Sequence, residues 1–119
     1  MRSAINTLLA TKGIRKVAIL SDMKELGPES ENFHRQVGAY AGAQHIDFLV
    51  TVGDHARYIG LGAAPYLGEE HVKHYDSREE LIGDLEQLIR PGDVVLVKGS
   101  RSMEMEKVVK KIFEDKEQE

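Results

Sequence analysis

Three short apolar runs constrain this chain more than any other feature: Val17-Ala18-Ile19-Leu20, Phe48-Leu49-Val50-Thr51-Val52 and Val94-Val95-Leu96-Val97. Between them lie stretches whose apolar residues recur at helical spacing. Runs this short and this rich in β-branched residues read as strands, and their near-continuous hydrophobicity suits strands covered on both faces. Strands alternating with helices give βαβ units and a mostly parallel sheet.

The remaining elements follow in order. A helix from about Arg2 to Ala10 carries Ile5, Leu8 and Leu9 on one face and opens without an N-cap. After the first strand comes a Ser21–Pro28 loop, then a helix of about Glu31 to Gln44 with Ser30 as its cap. A further helix from about His55 is expected to fade around Gly60–Gly62 into Pro65. Val72–Tyr75 is a weaker third strand, more polar and nearer an edge. Ser77-Arg78-Glu79-Glu80 is a capping box opening a helix through about Ile89. Arg90–Asp93 forms a turn before the fourth strand, Met103–Phe113 resumes at helical spacing, and Glu114–Glu119 is a solvated end. With right-handed crossovers, the first three strands progress one way and the fourth returns beside the first. The expectation is a Rossmann-like three-layer α/β sandwich, helices on both faces, core strand order 3-2-1-4. That order places a switch point between the first and fourth strands, where such sheets bind ligands outside the carboxyl ends. The Ser21–Gly27 and Lys98–Ser102 loops would meet there.

Composition narrows the class. At 119 residues and 41% hydrophobic, residues 1–119 form a single domain with a workable core. Sixteen Lys and Arg against 20 Asp and Glu leave a formal net charge of -4, with no basic stripe for nucleic acid. Cysteine is absent, so disulfides and thiolate metal sites are excluded, which fits a cytoplasmic protein. The longest apolar runs are strand-length, so no membrane insertion is expected. Lys12, Arg15 and Lys16 interrupt any signal-peptide core.

Lys98-Gly99-Ser100-Arg101-Ser102 carries the chemistry. Two cations, a glycine and two hydroxyls sit where a strand turns into a helix, a place suited to a carboxylate or phosphate. The plainer account is a helix start with solvated cations, but Lys98 directly follows four apolar residues and has no obvious structural use there. Asp22, Met23, Glu25 and Gly27 make the second loop, where a carboxylate at a strand end can hold a hydroxyl, an ammonium or a metal ion. His34, one turn into a helix, reads first as a surface or cap histidine, and Gly53-Asp54-His55 reads as an N-cap with Asp54 as the cap. His71 and His74 fall on opposite faces of a strand, so no metal site is expected from them. Met23, Met103 and Met105 read as packing. There is no G-x-x-x-x-G-K-[ST] phosphate loop, no G-x-G-x-x-G after the first strand and no G-x-S-x-G elbow. The chain alone is not expected to use ATP.

Together the two loops resemble those of the C-terminal domain of the Mur ligases. The family's G-D-M-x-E-L-G loop, following Ser and H-x-x-V-G correspond to Ser21–Gly27, Ser30 and His34–Gly38. Its L-V-K-G-S-R-x-M-x-M-E is intact at Leu96–Glu106, and Val52-Gly53, Ala56 and Pro91-Gly92-Asp93 fall in register. Ser21 stands where the family usually has glycine. The similarity points to the type that joins D-alanyl-D-alanine to a UDP-linked muramyl tripeptide in peptidoglycan precursor synthesis. It implies that ATP, with magnesium, phosphorylates the tripeptide's carboxylate and that the dipeptide's amine attacks the acyl phosphate. It also implies a fragment: this chain would be the lid that brings in the dipeptide and closes on the nucleotide, inactive without N-terminal and central domains that hold the tripeptide, ATP and magnesium. No catalytic residue is then expected here. The substrate-binding residues would be Asp22, Met23, Lys98, Gly99, Ser100, Arg101 and Ser102, with His34 a weaker candidate.

Two other readings share the architecture. The C-terminal domain of another Mur ligase or of folylpolyglutamate synthetase would change the incoming amino acid. A receiver-like regulatory module would need clustered acids after the first strand and an acceptor Asp ending the third, which are not evident.

Overall fold

The computed structural model describes residues 2–23 and 27–117, so Met1, Lys24, Glu25 and Leu26, with Gln118 and Glu119, lie outside the described residues. The four strands are β1 (Arg15–Ser21), β2 (Phe48–Val52), β3 (Val72–Tyr75) and β4 (Asp93–Lys98). Five helices accompany them: α1 (Arg2–Ala10), α2 (Ser30–Ala43), α3 (Arg57–Leu67), α4 (Arg78–Leu88) and α5 (Glu106–Glu117). All strand pairs are parallel, in the order β3-β2-β1-β4. Leu20 pairs with Lys98 and Ser21 with Val52, which brings three strand ends to one edge.

Strict alternation along β1 builds two cores. Ala18 and Leu20 face α1, α2 and α3, meeting Ile5, Leu8, Val37, Ala41, Ile59 and Ala63. Val17 and Ile19 face α4 and α5, meeting Leu81, Leu85, Met105 and Val108. The period-2 geometry of a strand sends successive side chains to opposite layers, so a run apolar at every position must be covered twice. β1 and β2 obey this. Val94–Val97 do not, each being only half-buried, because β4 is an outer strand with a neighbour on one side. None of the described helices is long and apolar enough to cross a membrane.

Three expected boundaries move. α3 does not fade at Gly60–Gly62 but runs to Leu67 with Pro65 inside it. Its glycines are packing points: a Cβ on Gly62 would lie 2.2 Å from the Arg35 carbonyl oxygen, and one on Gly38 would lie 1.8 Å from that of Ile59. Close crossing of α2 and α3 thus outweighs a propensity cost of about 1 kcal/mol per glycine. Pro65 and Leu61, whose carbonyl loses its helical partner, both lie on the exposed face, where water can serve that oxygen. α2 starts at Ser30 itself, preceded by a 3₁₀ turn, Gly27–Glu29, so Ser30 is not the cap. The third change concerns the cationic turn. A 3₁₀ turn at Arg101–Met103 and a left-handed Glu104 (φ 48°) intervene before α5 begins at Glu106. Its first-turn amides therefore follow the turn instead of forming it.

Candidate functional site

The parallel order carries the ends of β1 and β4 to the same edge, and a hydrogen bond joins the loops that leave them. The Ser100 N–H donates to the Asp22 carbonyl at 3.0 Å. Beside this joint, Lys98 ends β4 exposed and Arg101 is exposed in the 3₁₀ turn. The Ser100 and Ser102 hydroxyls are 3.1 Å apart. Between Lys98–Arg101 on one side and Met105, Glu106 and Val109 on the other lies an open hollow of about 310 Å³. Ligand pockets span roughly 300–1,000 Å³, so this one suits a small molecule. Lysine and arginine at its rim are suited to a carboxylate or phosphate, arginine in two-pronged fashion.

Gly99 is needed for space. A Cβ there would fall 1.6 Å from the Ser21 Oγ, and that hydroxyl, fully buried, donates to the Lys98 carbonyl at 3.4 Å. The Ser21 side chain fills the space beneath the turn that a side chain at position 99 would need.

Asp22 takes another part. Its side chain is buried, and Oδ1 accepts the Ala56 N–H at 2.7 Å, which makes it the cap of α3. Asp54, expected there from local sequence, is exposed, and α3 has no side-chain bond from its own N-cap residue, Ala56. Gly53 makes the approach possible, with φ 109° and a would-be Cβ 2.6 Å from the Asp22 Oδ1. A carboxylate at a helix N-terminus is stabilised by the free amides there. The carboxylate thus ties the β1 loop to the β2 loop, while the Asp22 main chain faces the cationic turn.

His34 is fully buried and not a surface or cap residue. The Met23 N–H donates to its Nε2 at 3.0 Å, so the ring proton belongs on Nδ1, which donates to the Ser30 carbonyl at 2.6 Å. The Ser30 Oγ lies 2.9 Å from Nδ1 of the exposed His55. Met23, half-buried, is thereby fixed at the mouth of the loop. His74 sits on β3 with Nδ1 2.8 Å from the Thr51 Oγ1, far in role from His71 in its 3₁₀ turn. Among the described residues, no three His, Cys, Asp or Glu side chains group as a metal site would need.

One residue that sequence reasoning passed over braces the site. Arg78, first in α4, donates from Nη1 to the Met103 carbonyl at 3.0 Å and to the Glu104 carboxylate at 3.1 Å. Only its place in a capping box was legible; its partners are 25 and 26 residues away. Ser77 does cap α4, accepting the Glu80 N–H at 3.2 Å.

The family described as "Mur ligase, glutamate ligase domain" matches residues 1–101. Among relatives, the UDP-N-acetylmuramoyl-tripeptide–D-alanyl-D-alanine ligases of Escherichia coli and Bacillus subtilis are 39% and 33% identical over 97% and 96% of this chain. The chain spans only 24% and 25% of those relatives' lengths. Among solved structures, MurF from Acinetobacter baumannii matches with a TM-score of 0.83 and 30% identity, over 96% of this chain and 25% of that one. MurF from Thermotoga maritima, solved in complex with ADP, matches at 0.76 and 28% identity, over 98% and 26%. These matches set aside a receiver-like module. On its sheet order, its two joined loops and these likenesses, the chain belongs to the Mur ligase C-terminal domain family.

Proposed function

We propose that this domain is the dipeptide-binding lid of an ATP-dependent ligase that adds D-alanyl-D-alanine to a UDP-linked muramyl tripeptide in the cytoplasm. The observation that carries the reading is the exposed Lys98 and Arg101 pair at the switch point, lining an open hollow of about 310 Å³. D-alanyl-D-alanine ends in a free carboxylate, and two cations flanking Gly99 and Ser100 are suited to hold it. Asp22, Met23 and His34 act by setting the adjoining loop. The Asp22 and His34 side chains serve the fold, and the Asp22 main chain sets the turn through Ser100. The sequence has no phosphate loop, and the resemblance assigns ATP, magnesium and the tripeptide to N-terminal and central domains and leaves the isolated domain without ligase activity. What this chain contributes is the orientation of the dipeptide, so that its amine reaches the activated carboxylate presented from those domains.

The test is kinetic. In the full-length ligase, Lys98→Ala and Arg101→Ala should each raise the dipeptide KM about 10–150-fold, the equivalent of ~1.5–3 kcal/mol for a lost charge-assisted hydrogen bond. The ATP KM should move far less. An unchanged dipeptide KM in both variants would sink the assignment.

A further inference from the structure

The cationic turn is held at both ends by groups outside it. At its upstream end the Ser100 N–H meets the Asp22 carbonyl. At its downstream end stands Arg78, on a different helix and outside the ligand hollow's lining. Its Nη1 grips the Met103 carbonyl and the Glu104 carboxylate, while Nη2 donates to Glu79 at 2.8 Å. The side chain is only 17% exposed. Glu104 needs such a hold, because φ 48° is uncommon for a residue with a side chain and persists where neighbours over-determine it. That left-handed step is what swings the chain from the Arg101–Met103 turn into α5.

We propose that Arg78 is a positioning residue for the ligand-holding turn, fixing its hinge at Met103–Glu104 and so the direction in which Arg101 presents its charge. This rests on the reading that the turn holds the dipeptide's carboxylate. Arg78 touches no substrate; it acts through the main chain. A second route by which it could act is electrostatic, since it also neutralises Glu104, which Lys107 pairs at 3.0 Å. The two routes are separable, because the carbonyl bond is geometric and survives removal of the Glu104 charge.

The experiment uses the full-length ligase with D-alanyl-D-alanine as the varied substrate. Arg78→Ala should raise the dipeptide KM about tenfold, with the KM for ATP and for the UDP-linked tripeptide within twofold of the parent. Arg78→Lys, which keeps the charge and a donor close to the same carbonyl, should recover part of that loss and keep the parent Tm, so the proposal stays testable even if the alanine variant folds poorly. Glu79→Gln, which alters the exposed carboxylate on Nη2 and leaves the Met103 and Glu104 bonds in place, should keep the dipeptide KM within twofold of the parent. Combining Arg78→Ala with Glu104→Gln should leave the KM high; restoration would show charge neutralisation and overturn the positioning role. A lowered Tm with an unchanged dipeptide KM would overturn it too. Lys98→Ala and Arg101→Ala run alongside: if they raise the dipeptide KM and Arg78→Ala does not, this inference alone fails. If they leave it unchanged, the reading beneath it fails and takes this inference with it.

Discussion

Ser21 and Gly99 show how one position decides what another can be. Gly99 has an ordinary backbone, so space alone forbids a side chain there, with the Ser21 Oγ 1.6 Å and the Ser21 Cβ 3.0 Å from a would-be Cβ. Gly99→Ala should therefore destabilise the domain by about 1–3 kcal/mol through overpacking. Ser21→Gly should relieve most of it, giving a coupling of roughly 1 kcal/mol or more between contacting residues. Urea midpoints of the parent, both single variants and the double variant measure this; additive effects would contradict the packing account. At this scale the sequence was readable where chemistry is local. Two cations and two hydroxyls around a glycine marked Lys98–Ser102 as a candidate anion-holding turn from their identities alone, and the structure places them together at the end of β4. Asp22 and His34 were not readable, because what they do is set by Ala56 and Met23, 34 and 11 residues away. An acidic residue in a loop looks the same whether it caps a distant helix or faces solvent.

Among elements, the first and fourth strands are fastened where they begin. Arg15 meets Asp93 twice, Nε to Oδ1 at 3.0 Å and Nη2 to Oδ2 at 2.7 Å, and Nη2 also donates to the Leu88 carbonyl. The Arg90 N–H adds a bond to the same carboxylate at 2.8 Å. Burial disfavours the charged Asp93, but the Arg15 and Arg90 hydrogen bonds and both positive charges outweigh it and hold the carboxyl below its usual range. An unfolded Asp titrates near ~3.9. Since the folded value lies lower, the stabilisation is complete above that value and disappears as pH falls through the folded one. Asp93→Asn should cost about 3 kcal/mol at pH 7, the low end for a broken buried pair because Arg15 keeps some exposure. The gap between parent and variant in urea midpoint should narrow steadily as pH drops below about 4. A gap independent of pH would show that the pair contributes no charge-dependent stability. Strand positions were legible from apolar runs, and β2 and β3 fall where periodicity put them. α3 was misjudged because Gly60, Gly62 and Pro65 break helices locally, whereas here they fit a tight crossing with α2 and an exposed face. Such compensation lies in the partner helix.

For the whole molecule, the order 3-2-1-4 was deducible because handed crossovers leave few ways to lay down these strands. The same order brings the β1 and β4 loops together, so the meeting of the two loops that carry the candidate site follows from topology before any likeness is invoked. Its depth does not. β4 is an outer strand, and the hollow lies between its end and α5, shaped by a 3₁₀ turn and a left-handed Glu104 that no periodicity reveals. The central claim is that Lys98 and Arg101 pair with the carboxylate of D-alanyl-D-alanine. Its most direct test compares that dipeptide with its C-terminal amide as acceptors for the full-length ligase, in the parent and in the Lys98→Ala and Arg101→Ala variants. The parent should prefer the acid, and each variant should lose about tenfold or more of that preference, because the amide never gained the charge-assisted bond. Equal losses for acid and amide would mean that the two cations act elsewhere, and would contradict the account.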